Sequence, residues 1–523
     1  MRPPCEEAVI DARGGTSPCE GKQAMWVLAA TILGSSMAFI DGTVVNVALP
    51  ALQKSFGASV LGVQWVVEAY GLTLSALILV GGSMGDLFGR RRMFVLGVGI
   101  FAAASAYCGL ATSIGHLIAA RAVQGIGAAF LVPESLAIIS ACFGESERGR
   151  AIGTWSGATA ITTALGPVLG GWLIEHLSWR WVFFINVPLA IAVVVISLWR
   201  VPESRSSRQG GIDWLGTAVA TFSLSALTFG MIESSRLGWK HPLVLATLVA
   251  GVAGLAVFLL VESRAASPMV PLPLFRSRAF SGANLLTLFL YSAIGIFFFV
   301  FPLDLIQVQE YSSTATGAAL LPIILLMFSL SRWSGGLVAR YGARLPLIVG
   351  PTIAALGFFL FSVPSVGGSY WSMFFPALIT LGLGMAVSIA PLTTTVMGAV
   401  DQDRAGTASG INNAVARVAG VLAVAGLGAA MVVSFGNHLN RRLDKVAMPN
   451  EVRTDLQSNE IRMAALTPPS SVNAQTAADI RQAIVASFVS SFRLMMWICS
   501  ALALVSAAVA WRMVPHATGG KAR

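Results

Sequence analysis

Charged side chains are scarce in this sequence. Asp, Glu, Lys and Arg together make up 11% of the 523 residues, whereas hydrophobic residues make up 55%. Soluble domains carry about 25% charged residues, and the mean hydropathy here is +0.76. The scarcity of charge excludes an ordinary soluble protein and predicts an integral membrane protein.

Cysteine and histidine are also rare, with five of each. The cysteines have no regular spacing, and an odd number spread over tails and apolar segments predicts free thiols. They are Cys5, Cys19, Cys108, Cys142 and Cys499. The histidines fall in loops, tails or segment ends, which argues against a buried metal or general-base cluster. We therefore expect a protein that is not an enzyme and has no cofactor.

The hydrophobic residues are collected in fourteen segments, each long enough to cross a bilayer as a helix. Charged residues, Gly or Pro separate neighbouring segments. The segments cover residues 25–49, 62–84, 93–111, 116–140, 150–174, 180–199, 213–232, 242–261, 280–303, 315–338, 345–363, 371–397, 407–435 and 485–511. The predicted fold is an all-α membrane protein with fourteen transmembrane helices.

The distribution of Lys and Arg predicts the orientation of these helices. With the N-terminus inside, 20 of the 34 basic residues lie in cytoplasmic tails and loops, and 4 lie in short outer loops. Cytoplasmic loops are the ones enriched in Lys and Arg, so both termini are predicted to be cytoplasmic. The formal net charge of +10 therefore reflects topology, and no nucleic-acid partner is expected.

A glycine-rich pattern occurs twice. Residues 82–91 read GSMGDLFGRR and residues 335–344 read GGLVARYGAR, each after the second helix of a set of six. Two such sets, with a pair of helices inserted between them, predict a transporter built from two homologous six-helix bundles. The predicted parts are a cytoplasmic tail (1–24), an N-terminal bundle (25–200), a linker with inserted helices seven and eight (201–262), helices nine to thirteen of the C-terminal bundle (263–435), an extracytoplasmic loop without an apolar face except near its end (436–484), helix fourteen (485–512) and a cytoplasmic tail (513–523).

Asp41 lies about two-thirds of the way along the first segment. An ionisable side chain inside a membrane costs roughly 2.5–3.5 kcal/mol on insertion scales, so it is a functional-site hypothesis by default. Small residues such as Gly34 and Ala38 share its helix face. We predict that Asp41 binds and releases a proton; the alternative is a structural polar residue bonded to a neighbouring helix.

Two more charged residues lie at a similar depth. Glu68 enters the second segment by about six residues and Arg121 enters the fourth by about five, so both lie, like Asp41, roughly 8–12 Å below the outer face. Because an arginine stabilises the charged form of a nearby carboxylate, the trio could couple proton binding to helix movement. The alternatives are a rim position for Glu68 and a structural clamp on carbonyl groups for Arg121.

Glu134 follows Pro133 in the inner half of the fourth segment and is a further candidate proton or cation site. On a straight helix it lies roughly 140° from Arg121, so the two would line one cavity only if the helix bends. The second half of the chain has no carboxylate well inside a segment, since Asp304 lies near an outer end. Proton coupling is therefore assigned to the first half.

The first copy of the glycine-rich pattern is a candidate gating loop. Its glycines allow a tight turn and close helix approach, and Asp86 could form a charge latch with the arginines that holds the inner side shut. Its residues are Gly82, Asp86, Gly89, Arg90 and Arg91. Simple anchoring by positive charge would explain the arginines but not the placement of the Asp and Gly residues.

The fifth segment is rich in glycine and carries a Gly-Pro pair. Closely spaced small residues favour tight helix packing, and Gly-Pro favours a kink. These positions are Gly157, Gly166, Pro167, Gly170 and Gly171.

Taken in order, these motifs resemble the major facilitator superfamily, and specifically its fourteen-span drug:proton antiporter family (the QacA/EmrB-like group). The matching stretches are DGTVVNVALP at 41–50, GSMGDLFGRR at 82–91, RAVQGIG at 121–127, Gly157 with GPVLGG at 166–171, WRWVFFINVP at 179–188 and DWLG at 213–216. The match covers nearly the whole chain. The second copy of the loop departs from the first by having Ala339 where Asp86 stands.

The resemblance implies proton-driven export of lipophilic, often cationic, small molecules from a bacterial cytoplasm by alternating access, in a chain that works as a monomer in the lipid bilayer. It assigns Asp41 to proton or substrate coupling, Arg121 to proton transfer, and Asp86 with its arginines to gating. We expect substrate to bind between the halves near aromatic side chains such as Trp65, Phe297, Phe298 and Phe299. The alternatives are a nutrient or metabolite carrier and a non-transporting membrane sensor.

Overall fold

The computed structural model describes residues 19, 22–143, 145–205, 213–265, 268, 270–364, 366–400, 405–469 and 471–515. The regular secondary structure in these ranges is helical, without strands. The helices of the first part are α1 (Lys22–Phe56), α2 (Val60–Phe88), α3 (Arg90–Gly109), α4 (Ile114–Cys142), α5 (Glu145–His176), α6 (Trp181–Phe184), α7 (Asn186–Arg200), α8 (Trp214–Leu237) and α9 (Pro242–Arg264). Those of the second part are α10 (Arg278–Gln307), α11 (Ser313–Ala319), α12 (Leu321–Tyr341), α13 (Arg344–Leu360), α14 (Tyr370–Met373), α15 (Phe375–Gly398), α16 (Ala405–Leu443), α17 (Asn450–Ser458) and α18 (Ala474–Met513).

Within the described residues, twelve helical stretches are long and apolar enough to cross a membrane. The segments predicted at 150–174 and 345–363 are helical as α5 and α13, but neither is among the twelve, and α13 has only 17 residues. A multi-span helical membrane protein is therefore established, and the count of fourteen spans stays a prediction.

Tight packing in the first half depends on glycines at the contacts of α4. A Cβ atom on Gly81 of α2 would lie 2.0 Å from the carbonyl oxygen of Ala129. One on Gly125 would lie 2.1 Å from the Thr73 hydroxyl, and one on Gly127 would lie 2.5 Å from the backbone nitrogen of Phe101. Small residues let helix backbones approach closely where lipid supplies no hydrophobic drive, so α4 is held between α2 and α3.

The second half is organised around a cluster of phenylalanines. Phe297 and Phe301 of α10 stack with ring centroids 5.0 Å apart, and Phe361 packs against both at 4.9 and 5.1 Å. Phe358 and Phe374 complete this phenylalanine cluster. All five side chains are buried, so aromatic packing forms the core of this half.

The two halves meet most closely at the end where the loop 436–484 lies, which we call the outer end. A Cβ atom on Gly171 of α5 would lie 2.3 Å from the carbonyl oxygen of Ser313, and one on Gly317 of α11 would lie 2.1 Å from that of Pro167. Gln307 also donates a hydrogen bond to Gln53 across the halves, at 2.9 Å. Backbones therefore pack directly against each other at the outer end.

Helices α8 and α9 lie at the edge of the contact between halves. Trp65 of α2 packs against Phe229 of α8 with ring centroids 6.3 Å apart, and Ile232 of α8 joins a small cluster with Ala425 of α16. α9 packs on α8 and is otherwise largely exposed. Their role as an inserted pair remains a prediction.

The loop at 436–484 is more ordered than its polar sequence indicates. α16 extends to Leu443, α17 follows, and α18 begins at Ala474. Its apolar side chains join the main hydrophobic core: Val452, Leu456, Met463, Ala464 and Leu466. The prediction that this loop lacks an apolar face except near its end is wrong, because Val452 and Leu456 lie one helical turn apart on α17 and are buried together.

Two of the five cysteines are joined. Cys19 forms a disulfide with Cys142 at the end of α4, and the Cys19 amide donates to the Cys142 carbonyl oxygen at 3.3 Å. Cys108 and Cys499 are free and buried. The prediction of free thiols is therefore wrong for this pair, which lies 123 residues apart in sequence and gives no local spacing signal.

Candidate functional site

Asp41 of α1 and Arg121 of α4 form an ion pair in the interior of the first half. The exposed fractions of the two side chains are 0% and 1%. The Asp41 carboxylate also accepts a hydrogen bond from Nε2 of Gln124, at 2.8 Å. Both of its oxygens therefore have a donor, which a buried carboxylate requires if it is to stay charged.

Arg121 has a full set of partners as well. Its Nε donates to the carbonyl oxygen of Val66 at 3.1 Å, and its guanidinium donates to Oε1 of Gln124 at 2.7 Å. The guanidinium carbon lies 4.3 Å from the centroid of the Tyr70 ring. Arg121 thus links α4 to α1 and α2, and any change in the charge of Asp41 would alter contacts among three helices.

Glu68 lies near this pair without joining it. Its side chain is 1% exposed, and neither carboxylate oxygen has a hydrogen-bond partner among the described residues. The shared depth predicted for Asp41, Glu68 and Arg121 thus brings two of the three into contact. Depth is set by helix rise, whereas contact also depends on the direction in which each side chain leaves its helix.

A cavity of about 260 Å³ adjoins the pair and lies between the halves. Helices α1, α2 and α4 form one wall, with Glu68, Tyr70 and Arg121 facing it. Helices α10 and α16 form the other, with Phe298 and Arg417 among the lining residues. The cavity therefore combines charged, aromatic and apolar groups from both halves.

Two of the four aromatic residues predicted to line the cavity lie elsewhere. Phe298 and Phe299 do line it, but Phe297 belongs to the phenylalanine cluster, and Trp65 packs against α8. Adjacent residues on a helix point about 100° apart, and the side of α10 that carries Phe298 and Phe299 faces the cavity, whereas Phe297 turns into the core of the second half. The run of phenylalanines alone did not indicate which of them turns inward.

Several residues of the site were missed by sequence analysis. Gln124 lies three residues after Arg121, on the same helix face, and that spacing was a usable signal. Tyr70 follows Glu68 by two residues, and no pattern in the sequence singled it out. Arg417 was visible as an arginine inside an apolar segment, but its position facing the first half depends on tertiary packing.

Glu134 lies away from the cavity. It is buried in α4, and a Cβ atom on Gly85 of α2 would lie 2.1 Å from its carboxylate. It therefore packs against the candidate gating loop at the opposite, inner end, rather than beside Arg121. The helix of α4 continues through Pro133, and Glu134 and Arg121 remain at different depths and on different faces.

The candidate gating loop is held by an acid that the sequence did not indicate. Arg91 and Arg92 lie 3.7 Å from the carboxylate of Glu203, which follows α7, and the Arg91 amide also donates to it at 3.0 Å. Arg90 donates to the carbonyl oxygen of Ala137 at 3.3 Å. The Asp86 side chain lies outside the described residues. The latch partner seen for Arg91 is thus Glu203.

Gly89 allows this contact. Its φ is +112°, in the region that side-chain-bearing residues rarely adopt, and a Cβ atom there would lie 2.7 Å from the Glu203 carboxylate. Gly82 lies about two helical turns earlier, and a Cβ atom there would lie in van der Waals range of Pro133. The turn between α2 and α3 therefore places the arginines against the end of α7.

The glycines of α5 divide their contacts between the halves. A Cβ atom on Gly166 would lie 2.4 Å from the Thr43 hydroxyl, and one on Gly170 would lie 2.1 Å from Val44, both on α1. Gly171 and Pro167 contact α11 of the other half, as described above. The surroundings of Gly157 lie outside the described residues. This stretch therefore joins the Asp41 helix to the contact between halves.

Comparison with known proteins gives a consistent assignment. A family model described as Major Facilitator Superfamily matches residues 31–424. The chain is 35% identical over 438 residues to the multidrug resistance protein Stp of Mycobacterium tuberculosis, covering 82% of this chain and 79% of that protein. It is 32% identical over 489 residues to the tetracenomycin C resistance and export protein of Streptomyces glaucescens, covering 92% and 90%.

Solved structures agree on the fold. A bacterial homologue of the human lysosomal transporter Spinster, in an inward-facing and unoccupied conformation, aligns with a TM-score of 0.64 at 17% identity, over 95% of this chain and 98% of that one. The D-xylose-proton symporter aligns with a TM-score of 0.60 at 14% identity, over 95% and 99%. At these identities the likeness concerns the fold alone.

Proposed function

Because this chain belongs to the Major Facilitator Superfamily, we propose that it is a proton-coupled antiporter that exports toxic small molecules from the bacterial cytoplasm. Its relatives include proteins of multidrug resistance and of resistance to tetracenomycin C and puromycin. The observation that carries the proposal is the buried Asp41–Arg121 pair beside a cavity shared by both halves. Transport thus has a proton site and a substrate site in contact.

Asp41 is the proton carrier in this proposal. In its charged form it holds Arg121 and, through it, the backbone of α2 at Val66. Protonation removes the charge that Arg121 pairs with, so the guanidinium must find other acceptors and the packing of α1, α2 and α4 changes. A ligand or proton shifts a conformational equilibrium only through such differential contacts.

Alternating access follows from moving one half against the other around the cavity. Fourteen spans with both termini cytoplasmic would put Arg91, Arg92 and Glu203 at the cytoplasmic opening and the glycine contacts of α5 and α11 at the opposite one. In the proposed cycle, a proton from outside binds Asp41 and releases substrate outward. Release of that proton to the cytoplasm then resets the transporter, which works as a monomer in the membrane.

The test is transport by the purified chain in proteoliposomes with an imposed pH gradient. We expect ethidium, a lipophilic cation, to move in the direction opposite to the protons. Addition of the dye should also cause a coupled proton flux. Asp41→Asn keeps the size of the side chain and the acceptor for Gln124 but cannot exchange a proton, so gradient-driven transport should fall to the level of empty liposomes. Asp304→Asn in α10, a buried acid that does not line the cavity, is the matched control that should retain gradient-driven transport.

Three results would contradict the proposal. Full gradient-driven transport by Asp41→Asn would remove Asp41 from the mechanism. Uptake in the same direction as the proton would indicate a nutrient or metabolite carrier. Absence of proton flux for every compound in a panel of dyes and antibiotics would favour a non-transporting sensor.

A further inference from the structure

Two opposite charges in the central cavity have no partner. Glu68 is buried with both carboxylate oxygens unsatisfied among the described residues. Arg417 lines the same cavity from α16 and makes no hydrogen bond or ion pair within the described part of the chain.

The Asp41–Arg121 pair does not satisfy either group. Arg121 lines the cavity, but its charge is balanced by Asp41, and it also donates to Gln124 and to the Val66 carbonyl oxygen. A buried carboxyl group without a partner is costly, and a ligand that supplies the partner offsets that cost. The cavity therefore presents an unpaired acid, Glu68, and an unpaired guanidinium, Arg417, to whatever enters it.

Glu68 and Arg417 form no ion pair with each other within the described part of the chain, and their helices place them at different levels of the cavity. A Cβ atom on Gly71 of α2 would contact Val421 of α16 at 3.0 Å, which fixes the level at which the helices meet. Gln64 donates to the carbonyl oxygen of Val424 at 2.7 Å, so the helices run in opposite directions. Glu68 lies three residues toward the outer end from Gly71, and Arg417 lies four residues toward the inner end from Val421. At 1.5 Å per residue, the Cα atoms of Glu68 and Arg417 are separated by about 10 Å along the helix axes.

The wall between these groups is mostly apolar. Phe298 and Phe299 of α10 line the cavity, together with Val421 and glycines of α10 and α16. Such a surface suits a flat or ring-shaped apolar body. The polar groups stand at the two ends of this wall, where they can fix the orientation of a bound molecule.

We propose that this cavity recognises elongated zwitterions, with the Glu68 carboxylate accepting from a protonated amine and the Arg417 guanidinium donating to a carboxylate or similar anion about 10 Å away. Guanidinium and carboxylate form paired hydrogen bonds that are stronger than neutral ones. This inference rests on the proposed function and names the substrate class of the same site.

The test compares four molecules that share one ring system. Ciprofloxacin carries a protonated piperazine and a carboxylate at opposite ends. Its methyl ester is a cation, its N-acetyl derivative is an anion, and the N-acetyl methyl ester is neutral. Binding to the purified full-length chain is measured by isothermal titration calorimetry. We expect the zwitterion to bind more tightly than the cation or the anion by about 10-fold or more each, and the neutral form to bind least.

Two variants test which residue binds the amine of the ligand and which binds its carboxylate. Glu68→Gln should weaken binding of the zwitterion and of the cation by about 10- to 100-fold and leave the anion unchanged. Arg417→Gln should weaken the zwitterion and the anion and leave the cation unchanged. Glu262→Gln in α9 and Arg493→Gln in α18, neither of which lines the cavity, are the matched charge-removal controls and should bind all four molecules as the unaltered chain does.

Equal affinity for all four molecules, no binding of the zwitterion, or unchanged zwitterion affinity in Arg417→Gln would each overturn the proposal. A Glu68→Gln chain that loses proton flux but binds the zwitterion normally would also overturn it, because Glu68 would then serve the proton alone. Ethidium transport in proteoliposomes is measured in parallel. If the chain exports ethidium in response to the proton gradient but shows no preference for the zwitterion, the proposed antiport stands and the proposed ligand class is wrong. If the expected binding pattern is seen without proton-driven transport, the proposed antiport is wrong and the ligand class stands.

Discussion

The two copies of the glycine-rich loop start from similar sequences and end in different contacts. Both end a helix with a glycine at positive φ, Gly89 at +112° and Gly342 at +73°. In the first copy, Arg91 and Arg92 reach the Glu203 carboxylate. In the second, Arg344 donates to the backbone carbonyl of Trp511 at the end of α18. The shared turn is a backbone requirement, whereas the charge latch belongs to the first half alone.

The same asymmetry extends to the interiors of the halves. The first half buries an ion pair, Asp41 with Arg121, and adds Glu68 to the cavity. The second half packs a phenylalanine cluster and contributes Arg417 and Phe298 to the same cavity. In the proposed mechanism the first half carries the group that exchanges a proton, and the second half packs around an aromatic core. The following changes separate these two roles.

Removing the arginine of the buried pair should have the largest effect. Arg121→Ala leaves Asp41 charged, buried and without its cation, which is expected to destabilise the chain by about 3–5 kcal/mol. The measurement is thermal unfolding in detergent. The double variant Asp41→Asn with Arg121→Gln removes both charges and should recover much of the loss. A double variant no more stable than Arg121→Ala would contradict the role given to the buried charge.

The phenylalanine cluster should affect stability without affecting coupling. Phe301→Ala removes a ring packed against Phe297, Phe361 and Phe374 and should cost about 3 kcal/mol. The ratio of protons to ethidium moved in proteoliposomes should stay as in the unaltered chain. Phe301→Leu, which fills most of the space, is the control and should unfold at a higher temperature than Phe301→Ala. A changed proton ratio in Phe301→Ala would show that the second half takes part in coupling.

The turn glycines allow a direct comparison of the two loops. Alanine at either position forces a side chain into an unfavourable backbone region, at about 1–3 kcal/mol. Gly89→Ala should be the more harmful, because its Cβ atom would also displace the Glu203 carboxylate. Unfolding temperature and transport rate are measured for both variants. If Gly89→Ala and Gly342→Ala lower the transport rate equally, the contact with Glu203 has no effect on transport beyond that of the turn itself.

The charge latch itself should contribute least. Arg91 and Glu203 are partly exposed, at 29% and 23%, and exposed pairs contribute about 0.2–1 kcal/mol. A double-mutant cycle with Arg91→Gln and Glu203→Gln measures the coupling energy directly. The matching cycle with Arg344→Gln and Glu203→Gln should show none, since Arg344 binds a backbone carbonyl in the other half. Coupling in the second cycle would contradict the separation of the two loops.

Sequence analysis predicted the positions of the helices well and the contacts between their side chains less well. Apolar length located the helices, and helix rise placed Asp41 and Arg121 at one depth, where they do meet. Depth does not say which way a side chain points, so Glu68 was grouped with a pair that it does not join, and Phe297 with a cavity that it does not line. Glu203 and the Cys19–Cys142 pair were missed because their contacts connect positions far apart in sequence and leave no periodic pattern.

The direct backbone contacts of Gly171 with Ser313 and of Gly317 with Pro167 have a consequence for the response to ionic strength. Because main-chain packing holds the halves together there, added salt has few charges to screen at that end. At the opposite end, Arg91, Arg92 and Glu203 join the α2–α3 turn to the end of α7, and their attraction weakens as the Debye length shortens. Raising the salt concentration should therefore loosen this turn and leave the backbone contact between the halves unchanged.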